Sequence, residues 1–384
     1  MTQLPASPYL RRLKPYPFAH LDMLRAQMEA KGRRVIDLGM GDPREPVPDV
    51  VKQAMLEHAP SEAPYPRVAG LPAFRNAVAG WVERRFGVAL DAETQVLPTN
   101  GSKEAIFTLP LALVDPAEKP VVLVPDPGYP VYELGTLAAR GEVQWMPLRA
   151  ENGFLPDLDA IPDSTWDRAS ILWLNYPNNP TGALAPDAFY AEAVERCRRH
   201  GVLLVSDEAY TEIWFNSPPK SALNFGTENV LVLHTLSKRS GMAGFRSGFM
   251  AGDTEVIAAL KRFRPAVGVA TPDFVQHAAA AAWSDETHVE ALRARFRERR
   301  DAVAPELRKL GYAVPDVDAT LYLWFPVPSE ETSDAYVRRA VEAGVVLTPG
   351  SGMGKAGGGY LRLSLTAGVA DLREALARLA TLSV

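Results

Sequence analysis

Short β-rich runs alternate with helical stretches over residues 95–252, and this alternation constrains the fold more than any other feature of the chain. The helical stretches, such as 103–114 and 187–200, have helical periodicity and begin at Ser- or Asp-type residues. Such alternation predicts a mostly parallel α/β sheet with helices on both faces. We predict seven strands, at 94–98, 121–125, 143–147, 171–175, 202–206, 230–235 and 247–251.

The last hundred residues follow another pattern, typical of an α+β domain. They begin with Ala/Arg-rich helices over 271–310 and continue through short strands near 321–324 and 361–364 to an amphipathic helix at 370–382. We therefore predict a large domain over 45–275 and a small domain that combines 276–384 with an N-terminal arm, 1–44. The proline-rich segment 43–48 marks the crossing between them.

Composition excludes several classes of partner. With 384 residues the chain is long enough for two domains, and a net charge of −5 offers no attraction to nucleic acid or to an anionic membrane. No apolar run is long enough to span a bilayer, and no export signal opens the chain, so we expect a cytoplasmic protein. The one cysteine, Cys197, cannot form an intrachain disulfide, and its neighbours have no metal-ligand spacing, so no metal is expected.

Unusual polar residues follow the predicted strands, at the point where each strand ends. They occupy 100–102, 127–129, 175–182, 207–210 and 237–238. In an open α/β sheet the carboxyl ends of the strands form one crevice, where ligands bind. We therefore expect these five segments to converge on one site.

Lys238 ends an apolar strand and opens a glycine-rich loop that carries Arg246. An amine beside an arginine suits attack on an aldehyde next to a bound phosphate, and pyridoxal 5′-phosphate (PLP) has both groups. On this segment alone, a surface lysine is an equal alternative. Gly101, Ser102 and Lys103 open a helix whose N-terminus can hold a phosphate, although an ordinary helix cap explains them as well.

The other polar segments supply what the PLP ring needs. Asp207 ends an apolar strand, and a buried carboxylate needs a cation such as a protonated pyridine nitrogen. Asn179 and Tyr210 can each donate a hydrogen bond to the phenolic oxygen of the ring, and Tyr129 can stack on its face. The alternatives are a helix cap for Asp207, turn chemistry around Asn179 and a core position for Tyr129.

Five motifs occur together in this chain: Asn-Pro-Thr-Gly at 179–182, Ser-Asp-Glu-Ala-Tyr at 206–210, Thr-Leu-Ser-Lys at 235–238, Arg246, and Arg-Leu-Ser at 362–364. In this combination the chain resembles the class I and II aminotransferases of PLP fold type I. The resemblance implies that Lys238 binds the cofactor covalently and shuttles the substrate Cα proton, and that Asp207 pairs the pyridine nitrogen. It implies that Arg362 binds the substrate α-carboxylate and that Gly41 brings backbone close to the substrate. It implies phosphate contacts from Arg246, Ser102 and Thr235 or Ser237. Tyr65 matches a tyrosine that reaches the neighbouring subunit's phosphate, which implies a two-fold homodimer with shared sites.

Within this family the chain resembles the bacterial N-succinyl-L,L-diaminopimelate aminotransferases, which act in lysine biosynthesis. The similar stretches are 15–18, 96–105, 236–240, 281–289 and 321–324. This implies glutamate as amino donor and a second cation for a distal carboxylate, for which Arg67, Arg239 and Arg264 are candidates.

Other functions stay open at this point. They are an aspartate, alanine or aromatic aminotransferase, a PLP enzyme of another reaction type such as a β-lyase, and a non-catalytic PLP-binding regulator. No basic helix-turn-helix precedes residue 30, which disfavours the regulator. A dinucleotide-binding dehydrogenase needs Gly-x-Gly-x-x-Gly after its first strand, and 100–104 lacks it.

Overall fold

A computed structural model describes residues 19–62 and 64–382, so the stretch 15–18 lies outside the described residues. Its helices are α1 Ala19–Ala30, α2 Asp49–Glu57, α3 Pro72–Phe86, α4 Ser102–Leu113, α5 Val131–Ala138, α6 Asp163–Trp166, α7 Asp187–His200, α8 Leu236–Arg239, α9 Thr254–Val267, α10 Asp273–Ser284, α11 Thr287–Lys309, α12 Ser333–Glu342 and α13 Val369–Leu379. Its strands are β1 Ile36–Asp37, β2 Val96–Thr99, β3 Val121–Asp126, β4 Glu142–Pro147, β5 Ala169–Asn175, β6 Leu203–Asp207, β7 Val230–Thr235, β8 Gly248–Gly252, β9 Tyr322–Pro326, β10 Val345–Val346, β11 Thr348–Pro349 and β12 Tyr360–Ser364.

The predicted α/β sheet is confirmed. Seven strands lie in the order β2-β8-β7-β6-β5-β3-β4, and β8 alone runs antiparallel to its neighbours in that sheet. The central strands β3, β5, β6 and β7 are buried along their whole length, as apolar runs covered on both faces must be. Two apolar clusters cover the two faces, one around Trp81, Trp166 and Trp283 and the other around Tyr132 and Trp173.

Strand register brings the polar segments to one edge of this sheet. Asn175 at the end of β5 stands opposite Asp207 at the end of β6, and β7 runs parallel to β6 before it enters α8. The carboxyl ends of three neighbouring strands therefore meet where the sequence predicts the crevice.

A second core surrounds a smaller, antiparallel sheet. β12 lies between β11 and β9, while β1 pairs in parallel with β10 through Ile36 and Val345. Phe296, Trp324 and Tyr336 are fully buried in this core. β1 and β10 form a separate two-stranded sheet, and their residues Ile36 and Val345 are buried in the same core, so this pairing attaches the N-terminal segment to the second core.

The division of the chain into domains stays a prediction. Helix α10 begins at Asp273 and packs on α2 and α3, and its Trp283 lies 4.7 Å from Trp81 in the core of the large sheet. We therefore propose that the large domain ends after Ser284 instead of at 275. In the described ranges, no helix is both long and apolar enough to cross a membrane.

Candidate active site

A cavity of about 350 Å³ opens at the carboxyl edge of the large sheet, where it borders the small sheet. Most of the sequence-predicted site residues meet there, from eight separate segments of the chain. Those that line it are Gly41, Ser102, Lys103, Tyr129, Asn179, Asp207, Tyr210, Thr235, Ser237, Lys238, Arg246 and Arg362.

Lys238 lies in the short helix α8, immediately after β7, and its Nζ donates a hydrogen bond to the backbone oxygen of Gly41. Burial lowers the pKa of this amine, an effect that Tyr322 and Asp42 oppose and that Arg362 and Arg246 reinforce. A larger fraction of the amine is therefore unprotonated at neutral pH, as a nucleophile or a general base requires.

Asp207 ends β6 with its carboxylate almost completely buried. The hydroxyl of Tyr132 donates to Oδ2 over 2.7 Å, and the backbone amide of Ala209 donates to Oδ1 over 3.3 Å. Burial raises the pKa of this carboxyl to about 6, against those two hydrogen bonds. Among the residues that the structure describes, no cationic side chain lies within ion-pair distance of the Asp207 carboxylate. A buried carboxylate needs a cationic partner, and a positively charged ring nitrogen would provide one.

Arg362 is a buried residue of β12, and its guanidinium donates several hydrogen bonds. Its Nη1 donates to Oδ1 of Asn179 over 2.8 Å, and its Nη2 donates to the backbone oxygen of Gly39 over 2.9 Å and to Oγ1 of Thr348 over 3.2 Å. The guanidinium carbon lies 4.2 Å from the ring centre of Tyr322. These contacts fix the plane of the guanidinium, and a fixed plane favours bidentate binding of a carboxylate.

Asn179 and Tyr210 stand beside this arginine with donors available for a ligand. Oδ1 of Asn179 accepts from Arg362, which leaves the amide Nδ2 as its donor. The hydroxyls of Tyr210 and Tyr322 are 3.1 Å apart, and burial raises the pKa of Tyr210 well above its ordinary value. Tyr210 therefore keeps its proton and can donate a hydrogen bond to an oxyanion.

A cradle of hydrogen-bond donors forms where β2 ends and β8 begins, since Thr99 pairs with Gly248 there. Gly101 has a positive φ of 75° and precedes α4, so the backbone amides of the first helical turn face the cavity edge. A Cβ on this glycine would lie 2.6 Å from Nη2 of Arg246, whose backbone is itself left-handed with φ 51°. The hydroxyls of Thr235 and Ser237 are 3.0 Å apart on the neighbouring turn. Hydroxyls, helix amides and an arginine form a donor set that suits a phosphate monoester.

A family model described as aminotransferase class I and II matches residues 33–379. The chain belongs to this family. Its members use PLP, and the amine, carboxylate and phosphate cradle described above fit that cofactor. This protein is therefore a PLP-dependent aminotransferase of fold type I that acts on an amino acid and a 2-oxo acid, as the sequence predicted.

Relatives and solved structures agree over nearly the whole chain. An LL-diaminopimelate aminotransferase of Nitratidesulfovibrio vulgaris is 44% identical, over 97% of this chain and 98% of its own length. The substrate-bound structure of BacF from Bacillus subtilis has a TM-score of 0.95 at 34% identity, over 99% of this chain and 98% of that one. A probable N-succinyldiaminopimelate aminotransferase from Thermus thermophilus has a TM-score of 0.88 at 31% identity, over 95% and 99% of the two chains.

Arg239 and Arg264 do not line the cavity of the aminotransferase. The prediction that one of them binds the distal carboxylate of the substrate is therefore wrong. Arg239 is buried between Trp81 and Trp283 and donates to Glu286 over 2.7 Å. Arg264 is also buried, and it donates to both carboxylate oxygens of Glu104 over 2.7 and 3.0 Å. Each charge is neutralised inside the protein, because a buried guanidinium requires a partner.

Two further predicted residues lie outside the cavity wall of the single chain. Arg67 is exposed and does not line it. Tyr65 is fully exposed, so its contact with a neighbouring subunit stays a prediction. Gly41, by contrast, lies so close to Tyr322 that a Cβ would overlap the tyrosine hydroxyl, which explains the glycine.

Sequence reasoning assigned no individual role to several residues of the aminotransferase site. Asn175 accepts the backbone amide of Asn179 on Oδ1 over 2.8 Å and donates Nδ2 to the backbone oxygen of Asp207 over 2.8 Å. It was visible in the sequence as a polar residue at the end of an apolar strand. Tyr132 and Tyr322 had no such signal, because aromatic residues in apolar stretches are usually core.

Proposed function

We propose that this aminotransferase moves the amino group of LL-diaminopimelate to 2-oxoglutarate, forming glutamate, and catalyses the reverse. The proposal is carried by one observation: curated relatives at 41–44% identity, matched over nearly their whole length, have the name LL-diaminopimelate aminotransferase. It departs from the sequence resemblance, which implied the N-succinyl compound, because these relatives are named for the free amino acid.

Charged residues on the cavity wall support a substrate that has an ammonium and a carboxylate at each end. Arg362 suits the α-carboxylate at the reacting end, as argued above. Both Asp42 and Lys103 also line the cavity. The distal end of LL-diaminopimelate bears an ammonium and a carboxylate, which a carboxylate and an ammonium on the wall would complement. The succinylated compound has an amide in place of that ammonium, so it would form no ion pair with Asp42.

The residues have separate tasks in the transfer. When bound, PLP supplies an aldehyde carbon that takes up the amino group and a ring that accepts the electron pair of the substrate Cα. Asp207 would hold the ring nitrogen in its charged form, and Asn179 and Tyr210 would donate to the phenolic oxygen. Arg362 would orient the substrate so that its Cα–H bond faces Nζ of Lys238.

Lys238 would then move one proton. Because its pKa is lowered, the free amine can accept the proton from the substrate Cα. Nζ would then donate this proton to the carbon that PLP supplies as its aldehyde. Arg246, Ser102, Thr235 and Ser237 would hold the phosphate throughout, so that the ring keeps its position while bonds change. Because one site serves both substrates in turn, we expect ping-pong kinetics.

N-succinyl-L,L-diaminopimelate is the second candidate substrate. The Thermus thermophilus structure named for that compound favours it, as do the stretches 236–240 and 281–289. This alternative predicts that the distal subsite is purely cationic, with Lys103 on the cavity wall as one candidate.

We also propose a two-fold homodimer in which each subunit completes the other's site. Tyr65 is a fully exposed aromatic residue, and such residues are enriched in interfaces. Replacement of Tyr65 by Phe should weaken PLP binding in the dimer without changing the sedimentation behaviour of the protein. Unchanged cofactor affinity would contradict the shared site.

A comparison of half-reactions tests the substrate. The PLP-loaded enzyme is mixed with LL-diaminopimelate, with its N-succinyl derivative and with glutamate, and the conversion of the cofactor to its amino form is followed by absorbance. We expect kcat/KM for LL-diaminopimelate to exceed that for the succinylated compound at least about tenfold, since a site built to bind a charged group discriminates strongly against an analogue that lacks it.

The Asp42→Asn variant tests the proposed distal contact separately. It should raise KM for LL-diaminopimelate about tenfold, as expected for the loss of a charged hydrogen bond, and leave KM for glutamate within about twofold. A preference for the succinylated compound, together with an Asp42→Asn variant that behaves as wild type, would replace this proposal by the second candidate.

A further inference from the structure

Tyr132 donates a hydrogen bond to Asp207 and has no role in the function proposed so far. It is the second residue of α5 and follows Tyr129 by three positions. Its hydroxyl is 2.7 Å from Oδ2 of Asp207, and both side chains are almost completely buried. A hydrogen bond between a phenol and a buried carboxylate is charge-assisted and stronger than a neutral one.

The position of this hydroxyl is set by packing. The ring of Tyr132 stacks on Trp173 of β5, with centroids 4.9 Å apart and planes 25° apart. It also meets the edge of Tyr129, which lines the cavity, with centroids 5.9 Å apart. Two aromatic contacts on one ring leave little rotational freedom, so the hydroxyl stays directed at Asp207.

We propose that Tyr132 is a positioning residue that keeps Asp207 ionised and oriented for the ring nitrogen of the cofactor. The inference rests on the role of Asp207 in the proposed function and extends it to a residue that does not line the cavity. It requires that the phenol remain a donor. Burial and the charge of Asp207 raise the pKa of Tyr132 well above its ordinary value, so the phenol keeps its proton.

The other groups that face Asp207 do not replace this donor. The backbone amide of Ala209 donates over a longer distance, 3.3 Å. His234 lowers the pKa of Asp207 only at a distance, and its Nε2 lies 3.0 Å from Oε2 of Glu208. Glu208 itself raises the pKa of Asp207, and Asp207 in turn raises the pKa of Tyr210. Tyr132 therefore supplies the side-chain hydrogen bond to this carboxylate among the described residues.

Removal of the hydroxyl should make cofactor binding depend on pH. In Tyr132→Phe the carboxyl loses a donor that favours its ionised form, so its pKa rises above the wild-type value of about 6. Below that new pKa the cofactor has to displace a proton from Asp207 before it can bind. We expect the dissociation constant for PLP to be about tenfold weaker than in wild type at pH 6.5, and to approach the wild-type value at pH 9.

The measurement is a fluorescence titration of the apoenzyme with PLP at these two pH values, which needs neither amino donor nor acceptor. Tyr190→Phe is the matched control, because Tyr190 is a buried tyrosine in the cluster on the opposite face of the sheet. We expect it to bind PLP as wild type does at both pH values. A loss that is equal at pH 6.5 and pH 9, or no loss at either, would overturn the proposal.

A double-mutant cycle separates action through Asp207 from a change in packing. In the Asp207→Asn background, the added Tyr132→Phe change should cause no further pH-dependent loss of affinity, because no carboxyl remains to titrate. A full additional loss in that background would refute the inference. Both results are independent of the preferred amino acid substrate, so they stand whether or not LL-diaminopimelate is the true donor.

Discussion

Nη1 of Arg362 donates to Oδ1 of Asn179 over 2.8 Å, across 183 positions of sequence. The residue proposed to bind the substrate carboxylate thereby fixes the amide proposed to bind the cofactor ring. Since Oδ1 accepts from the arginine, Nδ2 is held in the position of a donor. Substrate and cofactor contacts are thus parts of one hydrogen-bonded unit that joins the small and large sheets.

Arg362→Lys should weaken binding of both substrates. A lysine cannot form the planar, two-pronged contact with a carboxylate, so we expect KM for glutamate to rise about ten- to hundredfold. Steady-state rates over a range of glutamate concentrations measure it. Arg373→Lys, at an exposed position on α13, is the control and should leave KM unchanged. An unchanged KM in Arg362→Lys would exclude this residue from the carboxylate site.

Lys238→Ala should abolish turnover while PLP still binds through the phosphate cradle and Asp207. Borohydride reduction of the wild-type enzyme should leave a phosphopyridoxyl group on position 238, which peptide mass spectrometry detects. We expect the rate to fall by at least about three orders of magnitude, as when a general base and nucleophile is removed. Lys220→Ala, at a surface lysine paired with Asp187, should retain full activity. Normal turnover by Lys238→Ala would reject the assignment.

Asp207→Asn should stabilise the apoenzyme and disable the loaded enzyme. The pKa of this carboxyl is about 6 in the folded protein and about 3.9 in an unfolded chain. The folded state therefore binds the proton more tightly, and apoenzyme stability decreases as pH rises from about 4 through about 6. Above pH 6 the variant avoids that loss, which is on the order of 3 kcal/mol.

Urea unfolding of both apoenzymes at pH 4.5 and pH 8 checks this sign. We expect the variant to be the more stable one at pH 8 and the difference to become small at pH 4.5. Asp316→Asn, at an exposed carboxylate, should not show this gain in stability at pH 8. If wild type were the more stable apoenzyme at pH 8, the burial of an unpaired carboxylate would be disproved.

Arg264→Met should reduce stability and leave substrate binding unchanged. It strands the carboxylate of Glu104, and breaking a buried ion pair costs about 3–5 kcal/mol of unfolding free energy. The double variant Arg264→Met/Glu104→Leu should recover most of that loss, while Arg262→Met, at an exposed position of the same helix, should lose little. A raised KM for LL-diaminopimelate in stable Arg264→Met protein would return this arginine to the list of distal-carboxylate ligands.

Much of the site could be predicted from local sequence. Lys238, Asp207 and Asn179 each end or follow an apolar strand, and the strand–helix alternation requires those ends to share one edge of the sheet. Residue types at strand ends therefore indicated PLP, and the motifs taken together supplied the family resemblance that implied it. The antiparallel direction of β8 did not follow, because an apolar run of this length is compatible with either direction.

Local patterns were enough to predict the α/β sheet, a PLP site and its candidate amine, because strand ends and their polar residues are features of short segments. Contacts between distant segments established which buried charges are neutralised inside the protein and which face the cavity. Arg239 and Arg264 resembled ligands until their partners Glu286 and Glu104 were located, and Tyr132 resembled core until its hydroxyl was found on Asp207. A buried charge is neutralised by whatever packs against it, and packing between distant segments cannot be inferred from the pattern of either segment alone.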